Sequence, residues 1–247
     1  IHTFHGHLLI GYFNKIIVRI IILIEKTLAL KTDVLFTVGS QVKIDLAKFG
    51  VAPSEKFVVT LPGLKPFKSS NQNAIRGELN LENKLVVALV GRLTEIKRPD
   101  RFIESAIKIL DGRSDVIFLI VGDGELRPKL FADSKVYPLN FVFLGWRNDV
   151  EDIISQCDVI ALTSDNEGTP ISAIQAGMTG IPTVSTNVGS VSEVILNHET
   201  GIVTNKNAGS IASAVESLIL DKTTRDEMGR LATARAQALF SVDRMIN

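Results

Sequence analysis

The sequence predicts an α/β protein made of doubly wound parallel sheets. Three observations predict it. Short, nearly continuous apolar runs recur at residues 85–90, 116–121, 140–144, 159–162, 183–185 and 201–204. Helical stretches separate or follow them at 99–110, 125–132, 149–156, 170–177, 192–196, 209–220 and 224–240. Polar or Gly-rich loops close most of the runs. Apolar strands alternating with helices mean a parallel sheet covered on both faces. Such a sheet binds ligands at the C-terminal ends of its strands.

The first stretch follows the same logic on a smaller scale. Residues 1–4 read as a strand end, and His5-Gly6-His7 as the loop beyond it. His2, His5 and His7 lie close together, but no Cys, Asp or Glu stands nearby to complete a metal set. The preferred reading is a loop with one histidine aimed at a ligand. Residues 14–30 form a strongly apolar helix interrupted by Lys15, Arg19 and Lys26. Its apolar runs fall below the roughly 18 residues needed to span a bilayer. A core helix is favoured over an interfacial one, which would show a cleaner polar face. Residues 34–38 are a strand. A helix from Ser40, taken as its cap, runs to a stop at Gly50, and 57–61 is another strand. The turn at 62–66 and the polar stretch at 69–73 mark a boundary. The expected division is 1–65 and 66–247. About 65 residues are few for a domain, so the first domain is expected to be truncated.

Composition narrows the function. The 247 residues include 27 Lys+Arg and 27 Asp+Glu. A balanced charge lacks the basic field that nucleic acid requires, and no nucleic-acid partner is expected. The single cysteine, Cys157, excludes an intrachain disulfide framework and points to a reducing, cytoplasmic compartment. It reads as a buried, inert thiol.

The chemistry-bearing residues stand at the strand ends. Arg92 and Lys97 suit a diphosphate, one as a bidentate fork and the other as a point charge. A solvated loop fits their spacing equally well. Gly122-Asp123-Gly124 invites a dinucleotide reading, but Arg127 occupies the third glycine position. These glycines therefore allow close backbone approach, either to a ligand or within a turn. Trp146, the only tryptophan, and Arg147 could meet a nucleobase, although packing over the sheet edge is favoured for the ring itself. Asp123, Asp165 and Glu167 cannot be shown to converge on Mg²⁺, so no metal is assigned. Residues 158–177 read as a strand, a loop carrying Glu167, and a helix with Thr169 as N-cap and Pro170 at its first position. A bare helix N-terminus beside a loop favours a phosphorylated ligand.

In chain order, the matching residues are Thr3-Phe4-His5, Ser40 with Asp45-Leu46, 59–63, Gly91-Arg92-Leu93 with Lys97, 121–124, 143–145, Asn166-Glu167-Gly168-Thr169-Pro170, and Gly189 with Glu193. The ordered set resembles the family 4 retaining glycosyltransferases, group 1 glycosyl transferases of the two-domain GT-B fold, over nearly the whole chain. The resemblance implies a nucleotide-diphosphate-sugar donor, UDP-linked by preference. It also implies a saccharide or lipid-linked acceptor in surface polysaccharide or glycolipid synthesis. His5, Arg92, Lys97 and Glu167 would serve the reaction. Gly91, Gly122, Asp123, Gly124, Trp146, Arg147, Gly168, Thr169, Pro170 and Gln175 would hold the donor. Neither cofactor nor metal would be required, because the two cations neutralise the leaving phosphate. Peripheral contact with the inner membrane face would give Lys15 and Arg19 a use.

Two departures matter. Gln175 stands where the family's second glutamate follows the first by eight residues, and Ser190 replaces the second glycine of a Gly-Gly pair. The expectation is weakened donor binding that Gln175→Glu would restore, by ~1 kcal/mol of charge assistance. The residues given are expected to bind nucleotide poorly and to transfer no sugar by themselves. A binding module that has lost turnover and a GT-B sugar-nucleotide epimerase are the alternatives.

Overall fold

The computed structural model describes residues 1–6, 9–67 and 74–246. His7 and the polar stretch at 69–73 lie outside them. The chain forms two parallel sheets. The first has three strands in the order β1-β2-β3: β1 (His2–Phe4), β2 (Leu35–Thr37) and β3 (Phe57–Val59). Helices α1 (Lys15–Leu30) and α2 (Ser40–Lys48) make the crossovers.

After α3 (Ala74–Glu78) come β4 (Leu85–Val90), α4 (Pro99–Leu110), β5 (Val116–Val121), α5 (Arg127–Asp133), β6 (Phe141–Gly145) and α6 (Val150–Ser155). Then follow β7 (Val159–Leu162), α7 (Ile171–Met178), β8 (Thr183–Thr186), α8 (Val191–Val194) and β9 (Gly201–Thr204). Helices α9 (Ala208–Leu220), α10 (Lys222–Phe240) and α11 (Val242–Ile246) complete the chain. The second sheet is ordered β6-β5-β4-β7-β8-β9, and all its pairings are parallel. The order reverses between β4 and β7, which is where an open α/β sheet leaves a crevice.

The central strands are apolar throughout because both of their faces are covered. Val87, Leu89, Phe118, Ile120, Val159 and Ala161 face a core with α4 and α9. Their neighbours Val86, Ala88, Ile117, Leu119, Ile160 and Leu162 face the opposite core with α7 and Phe240. The two-residue alternation of a strand thus serves two cores at once. Below β7, Asp158 joins Arg76 at 2.9 Å and Arg225 at 3.2 Å, tying α3 and α10 to the sheet.

Three local expectations need correction. Helix α1 is not a core helix. Only Ala29 is fully buried, with Val18, Ile21 and Ile22 partly so, while Ile16, Ile20, Leu23 and Ile24 are exposed. A three-stranded sheet offers α1 one face to pack on, and the helix is apolar around more than one face. Ser40 does not cap α2. Gly39 is the N-cap, and the Glu193 carboxylate accepts from the Ser40 and Gln41 N–H groups at 2.9 and 3.2 Å across the chain. Thr169 does not cap α7. Pro170 holds the extended cap position, and the Thr169 hydroxyl donates to the Val38 carbonyl in the other unit. In α2 a long-range carboxylate takes the place of a local cap, whereas in α7 the hydroxyl expected to cap is drawn away and the first N–H groups stay open.

Candidate functional site

A cleft of about 460 Å³ opens at the switch point, between the loops that follow β4 and β7 and the end of β1. Its walls include His5, Tyr12, Gly91, Arg92, Lys97, Glu167, Gly168, Thr169, Pro170 and Gln175. All four residues expected to serve the reaction are therefore together, with five of the ten expected to hold a donor. His5 directly follows β1, and Arg92 and Lys97 come from the loop after β4. The others come from the loop after β7 and from α7.

The centre of this arrangement is an ion pair. Lys97 Nζ lies 2.7 Å from both oxygens of Glu167, and Ser164 Oγ donates to Glu167 Oε1 at 2.6 Å. Glu167 is nearly buried while Lys97 keeps a path to the cleft. Arg92 is exposed on the cleft wall and makes no ion pair with a described residue. Above Glu167, the Gly168 and Thr169 N–H groups donate to no described residue. They lead into α7, whose first two N–H groups, of Ile171 and Ser172, likewise donate to no described residue. An exposed guanidinium, an ammonium and free N–H groups at a helix N-terminus together attract an anion.

The loop after β7 is held rigidly from below. Asp165 accepts from Arg101 at 2.9 Å and from Arg98 at 3.1 Å, and Arg101 also donates to the Thr163 carbonyl. Burial pushes the Asp165 pKa up, but these two guanidinium bonds outweigh it and hold the group below its ordinary range. Gly189 lets a second backbone pass close by. Its φ is +50°, and a Cβ there would sit 1.7 Å from the Glu167 carbonyl oxygen. From the other unit, the Ile10 carbonyl accepts from Asn166 Nδ2 at 3.1 Å. A Cβ on Gly168 would meet the His5 carbonyl at 2.7 Å.

The remaining expected residues lie outside the cleft walls. Gly122 and Gly124 are glycines because the β4 loop presses on them: a Cβ would fall 2.0 Å from the Gly91 oxygen and 2.5 Å from the Leu93 oxygen. Asp123 accepts from the Gly124 N–H and pairs with Arg127. Trp146 is 75% exposed at the end of β6, neither packed on the sheet edge nor in the cleft. Arg147 pairs with Asp149 and Glu78. Ser190 is fully buried against Gly39 and does not line the cleft. Asp123, Asp165 and Glu167 are each engaged by a different basic residue, so they do not converge. Among the described residues, no group of three or more His, Cys, Asp or Glu could hold a metal ion.

Sequence reasoning missed Tyr12, Ser164 and Glu151. Tyr12 stands in the cleft, and its phenol is pushed up in pKa by burial and by the Glu167 charge, with Arg92 opposing. Nothing local in the sequence brings Tyr12 to residues more than a hundred positions away. Ser164 is three residues before Glu167, so its hydroxyl could have been anticipated as a partner.

The described helices include none long and apolar enough to cross a membrane. Residues 71–235 match the sequence profile of the glycosyl transferases group 1. The chain is 33% identical over 142 residues to the UDP-Gal:alpha-D-GlcNAc-diphosphoundecaprenol alpha-1,3-galactosyltransferase of Escherichia coli, covering 56% of this chain and 36% of that one. It is 28% identical to the D-inositol 3-phosphate glycosyltransferase of Rhodococcus jostii, over 87% of this chain and 49% of that one. The chain thus spans half or less of the length of these relatives. Among solved structures, Anabaena HepE in complex with UDP-glucose superposes with a TM-score of 0.88 at 21% identity, over 98% of this chain and 68% of that one. Staphylococcus aureus TarM superposes at 0.81 and 19% identity, over 99% of this chain and 48% of that one. With a family profile matching two thirds of its residues and GT-B structures matching its two sheets, the chain belongs to the glycosyl transferases group 1 and has the GT-B fold.

Proposed function

We propose that the protein is a retaining glycosyltransferase that moves a sugar from a UDP-sugar to a saccharide or lipid-linked acceptor. The observation that carries this reading is the cleft at the switch point, where Arg92, Lys97 and the α7 N-terminus surround Glu167 opposite His5. Residues 66–247 act as the donor-binding unit and residues 1–65 as part of the acceptor side. The diphosphate binds Arg92, Lys97 and the Gly168 and Thr169 N–H groups. Glu167 orients the sugar's hydroxyls, and His5 stands at its reacting end. Gln175 faces the pentose, and the base extends towards the exposed Trp146 and Arg147. The anomeric carbon's bond to the phosphate oxygen breaks as the acceptor hydroxyl approaches on the same face. The acceptor proton passes to the departing phosphate, whose charge the two cations and the helix dipole stabilise. The named relatives that use diphosphoundecaprenol acceptors support a lipid-linked acceptor. The exposed Ile16, Ile20, Leu23 and Ile24 of α1, with Lys15 and Arg19, supply a face for an anionic membrane surface.

The test is a thermal-shift screen of UDP-, GDP- and ADP-sugars on the full-length protein. It is followed by NMR of the product's anomeric configuration and by sedimentation with anionic vesicles. Selective stabilisation by UDP-sugar and a retained anomer are expected. An inverted product, or no response to any donor, refutes the assignment. Failure to sediment refutes the membrane contact alone.

A further inference from the structure

One contact at the cleft wall has no role in the reading above. Gln175 Nε2 donates to Glu151 Oε1 at 2.8 Å. Gln175 lines the cleft from α7, five residues beyond the cap Pro170. At ~1.5 Å of rise per residue, that is about 7 Å along α7 from its anion-binding end. Glu151 stands in the first turn of α6, and its neighbour Val150 also lines the cleft. Among the described residues, no cation pairs with Glu151 and no donor reaches Gln175 Oε1.

A carboxylate only accepts hydrogen bonds, so Glu151 fixes which way the Gln175 amide points. The amide's NH₂ must face Glu151, since the flipped amide would set oxygen against oxygen. Its carbonyl oxygen is then the group left for a ligand. We propose that Glu151 is a positioning residue that turns Gln175 into an acceptor for the vicinal diol of the donor's pentose. The inference rests on the nucleotide-donor reading. A diol offers two donors, and this end of the cleft supplies an amide oxygen beside a carboxylate with no cation of its own. The phosphates are drawn to the opposite, cationic end, which sets the nucleotide's direction along α7.

This pairing reverses the expectation drawn from the sequence for Gln175→Glu. A carboxylate at 175 would lie against the carboxylate of Glu151, and like charges at that distance disfavour each other. The substitution should weaken nucleotide binding, and adding Glu151→Gln should restore it by exchanging the two groups.

Calorimetric titration of the full-length protein with UDP and with 2′,3′-dideoxy-UDP tests this. Unaltered protein should prefer UDP by about tenfold, as one or two net hydrogen bonds imply. Glu151→Ala should remove most of that preference while leaving dideoxy-UDP affinity unchanged, which shows that the variant is folded. Gln175→Glu should lower UDP affinity several-fold, and the Glu151→Gln/Gln175→Glu double variant should recover it. If unaltered protein binds both ligands equally, or if Gln175→Glu tightens UDP, the inference is overturned and the donor reading stands. If it binds neither ligand, the donor reading falls and takes the inference with it.

Discussion

The Lys97–Glu167 pair should respond asymmetrically to mutation. Lys97→Met leaves the Glu167 carboxylate, whose side chain is 7% exposed, with only the Ser164 hydroxyl as partner among the described residues. Breaking a buried ion pair from one side costs about 3–5 kcal/mol, and an exposed pair is worth about 0.2–1 kcal/mol. Lys97 is 27% exposed, so solvent screens the pair in part. The retained Ser164 bond offsets about 1 kcal/mol. The expected loss is therefore about 2 kcal/mol. Glu167→Gln removes the charge instead. The amide keeps an oxygen for Ser164, and the Lys97 ammonium can turn to water in the open cleft. About 1 kcal/mol is expected. Each kcal/mol lowers Tm by roughly 2–4 °C in a unit of this size. Lys97→Met should therefore melt roughly 4–8 °C lower, and Glu167→Gln about half as far. Far-UV circular dichroism reads both. If Glu167→Gln costs as much as Lys97→Met, Glu167 is not the desolvated partner and the argument fails.

Gly189→Ala forces a Cβ to 1.7 Å from the Glu167 carbonyl at a φ of +50°. It should cost about 3 kcal/mol and lower donor affinity at least tenfold, by urea unfolding and titration. A neutral outcome would show that the two loops are not tightly packed. Asp165 has a folded pKa below its unfolded value of about 3.9. Its contribution is therefore complete above that value and is lost as pH falls through the folded pKa. Unfolding free energy measured from pH 7 to pH 3 should fall less steeply in acid for Asp165→Asn than for unaltered protein. Equal slopes would remove Asp165 as an anchor. The Cys157 thiol is fully buried and pushed up to about 12 by desolvation, with Asp158 adding to the shift. A thiol-reactive disulfide reagent at pH 8 should label it only after urea unfolds the protein. Labelling of the native state would refute the burial.

The strands were legible because a central parallel strand has no solvent face to record. Val116–Val121 is six apolar residues in a row, bounded by Asp115 and Gly122, and the structure reproduces those limits. Helix α4 was equally clear, with Pro99 at its start and apolar residues at helical spacing. Helix α1 was misread for the same reason that β5 was read correctly. A run of isoleucines reports apolarity but not how many faces a neighbour covers. The caps of α2 and α7 failed differently. Ser40 and Thr169 are good local caps by composition, yet Glu193 and the Val38 carbonyl provide partners from across the interface between the two sheets. A local rule yields wherever tertiary packing offers a better acceptor or donor.

The site shows the same limit at higher resolution. Arg92, Lys97 and Glu167 were legible because topology sends the loops after β4 and β7 to one edge. The sequence predicts that convergence without any side-chain detail. What it cannot supply is what each side chain meets once there. Gln175 read as a lost carboxylate, because the reading compared one position with one position. In the folded chain a carboxylate is still present, 2.8 Å away on Glu151, 24 residues earlier. The charge missing from α7 stands on α6, next to the amide that lines the cleft. A position that lacks a charge along one helix thus keeps one across two, carried by a different residue.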